Sequence, residues 1–255
     1  MPEVRSSDAM TAGSVTVAGA GDDQIEAYLA RPDVSRPRGG VVVIHHMPGF
    51  DRATKEITRR FAELGYDAIC PNLHWRDAPG AAPDDAAAAS RAGGGVPDSR
   101  LIGDVAGAAA FLRSLPTSNG RVGDIGYCSG GRQSVLAACH LDLNASVDCY
   151  GAFVTGEPPA GYPIRVTNLV DQLPALRAPL LGLFGEQDAN PSPERVAELE
   201  QLLVANGKQF TLHSYPDAGH GFFAVDRISY RVAAANDGWG RIAAFFAEHL
   251  FSSGS

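Results

Sequence analysis

Apolar residues in this chain recur in two rhythms that alternate along its length. Residues 40–44, 66–70, 122–127, 145–150 and 179–184 form short, nearly continuous apolar runs, the pattern of strands buried on both faces of a parallel sheet. Between them the spacing turns helical. Residues 53–65 set Ile57, Phe61 and Leu64 on one face, 101–115 mixes apolar with small positions, and 129–140, 192–206 and 226–250 continue the series. Two alternating segments, 14–17 and 24–30, flank a Gly/Asp-rich turn and predict a hairpin, while 208–215 alternates as a last strand. Strands that alternate with helices predict an α/β fold: a mostly parallel, doubly wound sheet of about eight strands with right-handed crossovers covering both faces. A chain of 255 residues is compatible with one such domain over 1–255.

Three stretches fall outside this rhythm. Residues 1–13 and 252–255 are small and polar, and are expected to be loosely held. Residues 76–98 are dominated by Ala, Gly, Pro and Asp, with a run of four alanines at 86–89. Alanine favours helix while the flanking Pro and Gly break it, so this segment reads as a surface excursion with one short helix, either a plain loop or a lid.

Composition narrows the classes of partner. A net charge of −8 argues against a nucleic-acid backbone as ligand, and no apolar run approaches membrane-spanning length. The four cysteines, at 70, 128, 139 and 149, show no metal-type spacing, and a domain of this size needs no disulfide staples. With no signal-like N-terminus, the expectation is a cytoplasmic monomer or homodimer.

The candidate chemistry sits at the ends of the predicted strands. The run 122–127 leads directly into Cys128 within Gly126-Tyr127-Cys128-Ser129-Gly130, a cysteine form of the G-x-S-x-G nucleophile elbow, where a sharp strand-to-helix turn tolerates only glycine on either side. A helix opening at Ser129 would aim its N–H groups at the sulfur and favour thiolate. A buried structural cysteine in a Gly-rich turn has the same local sequence. Asp188 lies just past the strand ending at Phe184, and His220 lies in the Gly-flanked loop after the last strand. Cys128, Asp188 and His220 thus stand in the order nucleophile, acid, base that this topology imposes. The alternatives are a capping role for Asp188 ahead of Pro191 and, for Asp217, a role in the turn.

These motifs resemble the dienelactone hydrolase family, the cysteine-using branch of the α/β-hydrolases. The matching residues are Gly126-Tyr127-Cys128-Ser129-Gly130-Gly131, Met47-Pro48-Gly49, the segment 65–73, Gly185-Glu186-Gln187-Asp188 and Ala218-Gly219-His220-Gly221-Phe222. The resemblance implies the α/β-hydrolase fold and hydrolysis of an enol-lactone or related activated ester through a thioester, with no metal or organic cofactor. A non-hydrolytic ligand-binding or redox-sensing protein on the same fold is the alternative. The oxyanion hole is expected from the backbone N–H groups of Met47 and Ser129, because the elbow and the exit of the first buried strand converge there.

Two positions depart from the family. Where a glutamate usually precedes the oxyanion-hole residue stands His46, expected beside Cys128 as a thiol-tuning imidazole or else engaged with a nearby loop. The arginine that shortly follows the family's histidine and binds a substrate carboxylate is replaced by Phe222-Phe223-Ala224-Val225. An apolar pocket lined by Phe50, Trp75, Tyr127, Phe222 and Phe223 would suit a less charged substrate, and ordinary core packing is the other account of those aromatics.

Overall fold

The computed structural model describes residues 9–251, so most of the two tails expected to be loosely held, 1–8 and 252–255, lies outside the described residues. Eight strands, β1 (Met10–Ala18), β2 (Gln24–Pro32), β3 (Arg38–Ile44), β4 (Asp67–Pro71), β5 (Ser118–Tyr127), β6 (Ala145–Cys149), β7 (Leu180–Gly185) and β8 (Phe210–Tyr215), form one sheet in the order β1-β2-β4-β3-β5-β6-β7-β8. Strand β2 is antiparallel to both its neighbours, and β3 to β8 run parallel. Residues 10–13, expected to be loose, instead pair with Leu29–Pro32 as the start of β1. An edge strand is held by its main-chain ladder and needs few apolar side chains, which is why it escaped a reading based on hydrophobicity.

Side-chain parity explains how the sheet is covered. In β3, Val42 and Ile44 face a core shared with Leu101, Leu112, Val135 and Leu199, from helices α3 (Asp98–Ser114), α4 (Ser129–His140) and α5 (Pro193–Ala205). Val41 and Val43 face the opposite core with Phe61, Trp239 and Phe246, from α1 (Arg52–Glu63) and α6 (Val232–Leu250). Each of these buried large side chains contributes on the order of 1.5–3 kcal/mol by leaving water.

The remaining helix, α2 (Pro83–Ala92), is the short helix expected in the surface excursion. Arg100 pairs with Asp77 through two hydrogen bonds, and Arg76 does the same with Asp104. The excursion is therefore fastened to α3 at its start.

The chain leaves β3 toward β4 on one side and later returns to β5 on the other. Such a reversal opens a crevice at the carboxyl ends of the two central strands, where open α/β sheets bind ligands.

Candidate active site

Cys128 stands in that crevice. It follows the last residue of β5 and precedes α4, with φ 58° and ψ −120°. A non-glycine residue at positive φ is strained by about 1–2 kcal/mol, and the surrounding fold must hold it there. Two glycines make the turn possible. A Cβ at Gly126 would lie 1.8 Å from the Gly130 carbonyl oxygen, and one at Gly130 would lie 2.3 Å from that of Ile44. The Cys128 N–H donates to the Cys149 carbonyl at 3.0 Å, pinning the elbow to β6.

His220, in the loop after β8, places Nε2 2.9 Å from the Cys128 sulfur. Its Nδ1 lies 2.8 Å from Oδ2 of Asp188, in the loop after β7. Asp188 is itself fixed, because its Oδ1 accepts the Asn190 N–H at 2.8 Å and the side chain is 2% exposed. Burial on its own would lower the His220 pKa. The hydrogen bonds to Asp188 and Cys128, with the negative charge on those partners, outweigh it and carry the imidazole up to about 10. The ring also meets Tyr150 edge-on at 5.2 Å, a contact that fixes its plane.

Met47 and Ser129 both border the same space as Cys128. Among the described residues, neither backbone N–H has a hydrogen-bond acceptor. The Ser129 amide is free because it opens α4, whose first N–H groups have no partner within the helix. Both donors are therefore available to an incoming oxygen.

The space in front of the sulfur is a cavity of about 360 Å³, walled by Ala152, Phe153, Tyr162, Ile164 and Val166 on one side and by Gln187, Ala189 and Asn190 on the other. None of the first five was anticipated from sequence. They belong to the long segment after β6, where Tyr162, Ile164 and Val166 recur at every second position of an irregular stretch. That period-two signal was present but lay inside a proline-marked loop. Residues 76–98 do not line the cavity. They touch its wall from outside, where the Arg165 N–H donates to the Gly94 carbonyl at 2.8 Å.

The expected aromatic pocket is also corrected, since Phe50, Trp75, Tyr127, Phe222 and Phe223 do not border this cavity. Tyr127 and Phe222 are buried in the α1/α6 core, Phe223 packs among them, and Trp75 packs on the opposite core. Phe50 lies under the Lys55 ammonium at 4.2 Å.

His46 is likewise not brought to the thiol. Its Nε2 lies 2.8 Å from Oδ2 of Asp51, the N-cap of α1, whose Oδ1 accepts the Thr54 N–H at 2.8 Å. Burial acts to raise the Asp51 pKa, but hydrogen bonds from His46 and Thr54 dominate and bring it down to about 2. His46 borders a separate cavity of about 170 Å³ with Tyr127, Arg60 and Trp239. A helix N-terminus that needs an anionic cap competes for whatever hydrogen-bond donor lies nearby, and here it wins the imidazole.

One further acid lies beneath the elbow. Asp148 in β6 is fully buried, and its Oδ1 accepts the Gly151 N–H at 2.7 Å, shaping the turn that carries Tyr150 toward His220. Burial pushes its carboxyl up to about 7, with the Gly151 hydrogen bond opposing.

An eight-stranded sheet with β2 reversed, a strained strand-to-helix elbow after β5, and an acid and a histidine after β7 and β8 define the α/β-hydrolase fold. Within that class the chain belongs to the dienelactone hydrolase family, whose model matches residues 25–250. An Escherichia coli K12 protein named "Putative carboxymethylenebutenolidase" is 36% identical over 245 residues, covering 95% of this chain and 89% of that protein. A Salmonella typhimurium protein of the same name is also 36% identical, over 94% of this chain and 88% of its own length. A Klebsiella pneumoniae structure titled as a putative dienelactone hydrolase superposes with a TM-score of 0.83 at 30% identity, covering 94% of this chain and 99% of that one.

Proposed function

We propose that this protein hydrolyses an activated carboxylic ester or lactone through a thioester on Cys128. The observation that carries the reading is the unbroken relay from the Cys128 sulfur to His220 at 2.9 Å and from His220 to Asp188 at 2.8 Å, at the mouth of a cavity. Membership of the dienelactone hydrolase family and the names of its relatives support the same reaction class.

A histidine with its pKa raised to about 10 is protonated through the neutral range and stands ready to neutralise a thiolate. The Cys128 thiolate attacks the substrate carbonyl carbon, the C=O pair moves onto oxygen, and the Met47 and Ser129 N–H groups receive that oxyanion. Collapse expels the alkoxide or enolate leaving group, which takes the proton from His220. The thioester remains. His220, now neutral, removes a proton from water as it attacks the thioester carbonyl, and the carboxylic product leaves as the thiolate is restored. Asp188 holds the His220 tautomer and the positive charge that appears on the ring.

Mixing the enzyme with 4-nitrophenyl butyrate should give a burst of nitrophenolate equal to the enzyme concentration. Alkylation of Cys128 should abolish it. A protein that binds the ester without a burst and without turnover would instead be the ligand-binding alternative.

A further inference from the structure

We infer that the cavity in front of Cys128 selects electrically neutral esters or lactones and discriminates against substrates that carry a carboxylate. This rests on the thioester reading above and concerns only which substrates the same site accepts.

The argument begins with what walls the cavity. Among the described residues lining it there is no lysine or arginine, and the titratable side chains present, apart from the phenol of Tyr162, are those of Cys128, Asp188 and His220. His220 is the sole cation available, and both of its ring nitrogens are committed. An anionic substrate would therefore enter a space that already holds the Asp188 carboxylate and the cysteine sulfur, without a positive group to replace its lost hydration.

Three arginines near the cavity are engaged elsewhere. Arg165 alternates with the lining residues Ile164 and Val166 and points outward, donating to the Gly93 carbonyl. Arg132, on the first turn of α4, makes two hydrogen bonds to Asp98 and two to the Thr167 carbonyl. Arg76 is held by Asp104 and Asp23. Recruiting Arg132 or Arg76 would leave a buried or half-buried acid or carbonyl without its partner.

In place of a cation the wall offers a pair of rings. Phe153 and Tyr162 meet edge-on with centroids 5.0 Å apart. Phe153 is held at φ 63°, a conformation that a bulky residue adopts only when its surroundings require it. With Ile164 and Val166 beside them, these rings make an apolar surface that suits an uncharged hydrocarbon portion of the substrate.

The test compares two aryl esters that differ only at the far end of the acyl chain: 4-nitrophenyl butyrate, ending in a methyl group, and 4-nitrophenyl hemisuccinate, ending in a carboxylate. Rates are taken over those of the Cys128→Ala protein, because the hemisuccinate also hydrolyses by its own carboxylate. The wild type should favour the butyrate in kcat/KM on the order of 100-fold. Val166→Arg, which sets a guanidinium in the wall, should shrink that preference to about tenfold or less through a lower KM for the hemisuccinate. Val166→Met, of similar bulk and uncharged, should keep the wild-type preference. Equal use of the two esters by the wild type, or a preference for the hemisuccinate, overturns the inference while leaving the thioester mechanism standing. Absence of a Cys128-dependent burst with both esters overturns both readings. The wild-type ratio decides the matter even if the arginine variant fails to fold.

Discussion

Two imidazole–carboxylate pairs stand at strand exits of this sheet, and they are built alike. His220 meets Asp188 at 2.8 Å and His46 meets Asp51 at 2.8 Å. In each, the second carboxylate oxygen accepts a backbone N–H at 2.8 Å, from Asn190 in one case and Thr54 in the other. What separates them is the far side of the ring. His220 presents Nε2 to the Cys128 sulfur, whereas Nδ1 of His46 has no hydrogen-bond partner among the described residues. Surroundings differ as well, since the Asp188 side chain is 2% exposed and that of Asp51 is 22%. A His–Asp pair is thus a common structural device. It acquires chemistry only where separate strands deliver a nucleophile and an open cavity to the same point.

That contrast can be broken most severely at the first pair. Replacing Cys128 or His220 with alanine should lower kcat/KM for 4-nitrophenyl butyrate by about 10⁴-fold or more, while thermal melting shows the protein still folded. Next in size is Asp188→Asn, which keeps the shape of the acid but removes its charge, and should cost roughly 10²- to 10⁴-fold in turnover.

The pH profile sharpens the same point. With His220 raised to about 10, wild-type activity should hold through the neutral range and fall as pH rises past about 10, when the proton needed by the leaving group is lost. In Asp188→Asn that alkaline limb should move to lower pH, because the largest influence holding the proton is gone. An unmoved limb would show that Asp188 does not set the proton affinity of His220.

At the second pair the effects should be small and of another kind. His46→Ala should change kcat/KM by less than about threefold, and the pH dependence of Cys128 alkylation should be unaltered. Asp51→Ala should leave turnover near wild type yet lower stability by about 1 kcal/mol, read from urea melts, because α1 loses its N-cap. A tenfold loss of activity in His46→Ala would reinstate the imidazole as part of the reaction.

Smallest in its effect on turnover is Asp148→Asn, which concerns a buried carboxyl that forms no ion pair among the described residues. Its folded pKa of about 7 exceeds the ordinary value of 3.8, so the native state binds more protons than the unfolded chain between those values. Stability from this group is complete below pH 3.8 and declines as pH rises to about 7. The asparagine variant does not titrate and retains an acceptor for Gly151, so its Tm should gain on wild type by several degrees between pH 4 and pH 8. Parallel Tm curves for the two proteins would show that Asp148 carries no such penalty.

Much of this arrangement was legible in the residues themselves. The β-branched run ahead of His45, the glycines around Cys128 and the loops holding Asp188 and His220 each mark a strand end, and parallel strands deliver their carboxyl ends to one edge. The aromatic pocket failed for a reason of parity. Tyr127 adjoins Cys128 and Phe222 lies two residues from His220, yet their side chains enter the core behind the sheet rather than the cavity in front. Sequence proximity to a reacting group says little about which side of the backbone a ring occupies. His46 escaped for a different reason, since its partner Asp51 was visible five residues away but its claim on the imidazole depends on the α1 terminus being formed. The wall at 152–166 carries no regular element to announce it.

The order in which Cys128 and His220 occur along the chain has a consequence for biosynthesis. Cys128 precedes His220 by 92 residues, and β8, the last strand of the sheet, must be in place before the loop bearing that histidine can meet the sulfur. At translation speeds of roughly 5–20 residues per second, the thiol exists for about 5–20 s before its base has even been made. A chain stalled or clipped anywhere in that interval would display a cysteine without a partner, chemically an ordinary thiol. Under the proposed thioester chemistry, competence therefore arrives in a single late step, and an active-site-directed alkylating probe would label only those molecules whose synthesis and sheet assembly had run past β8.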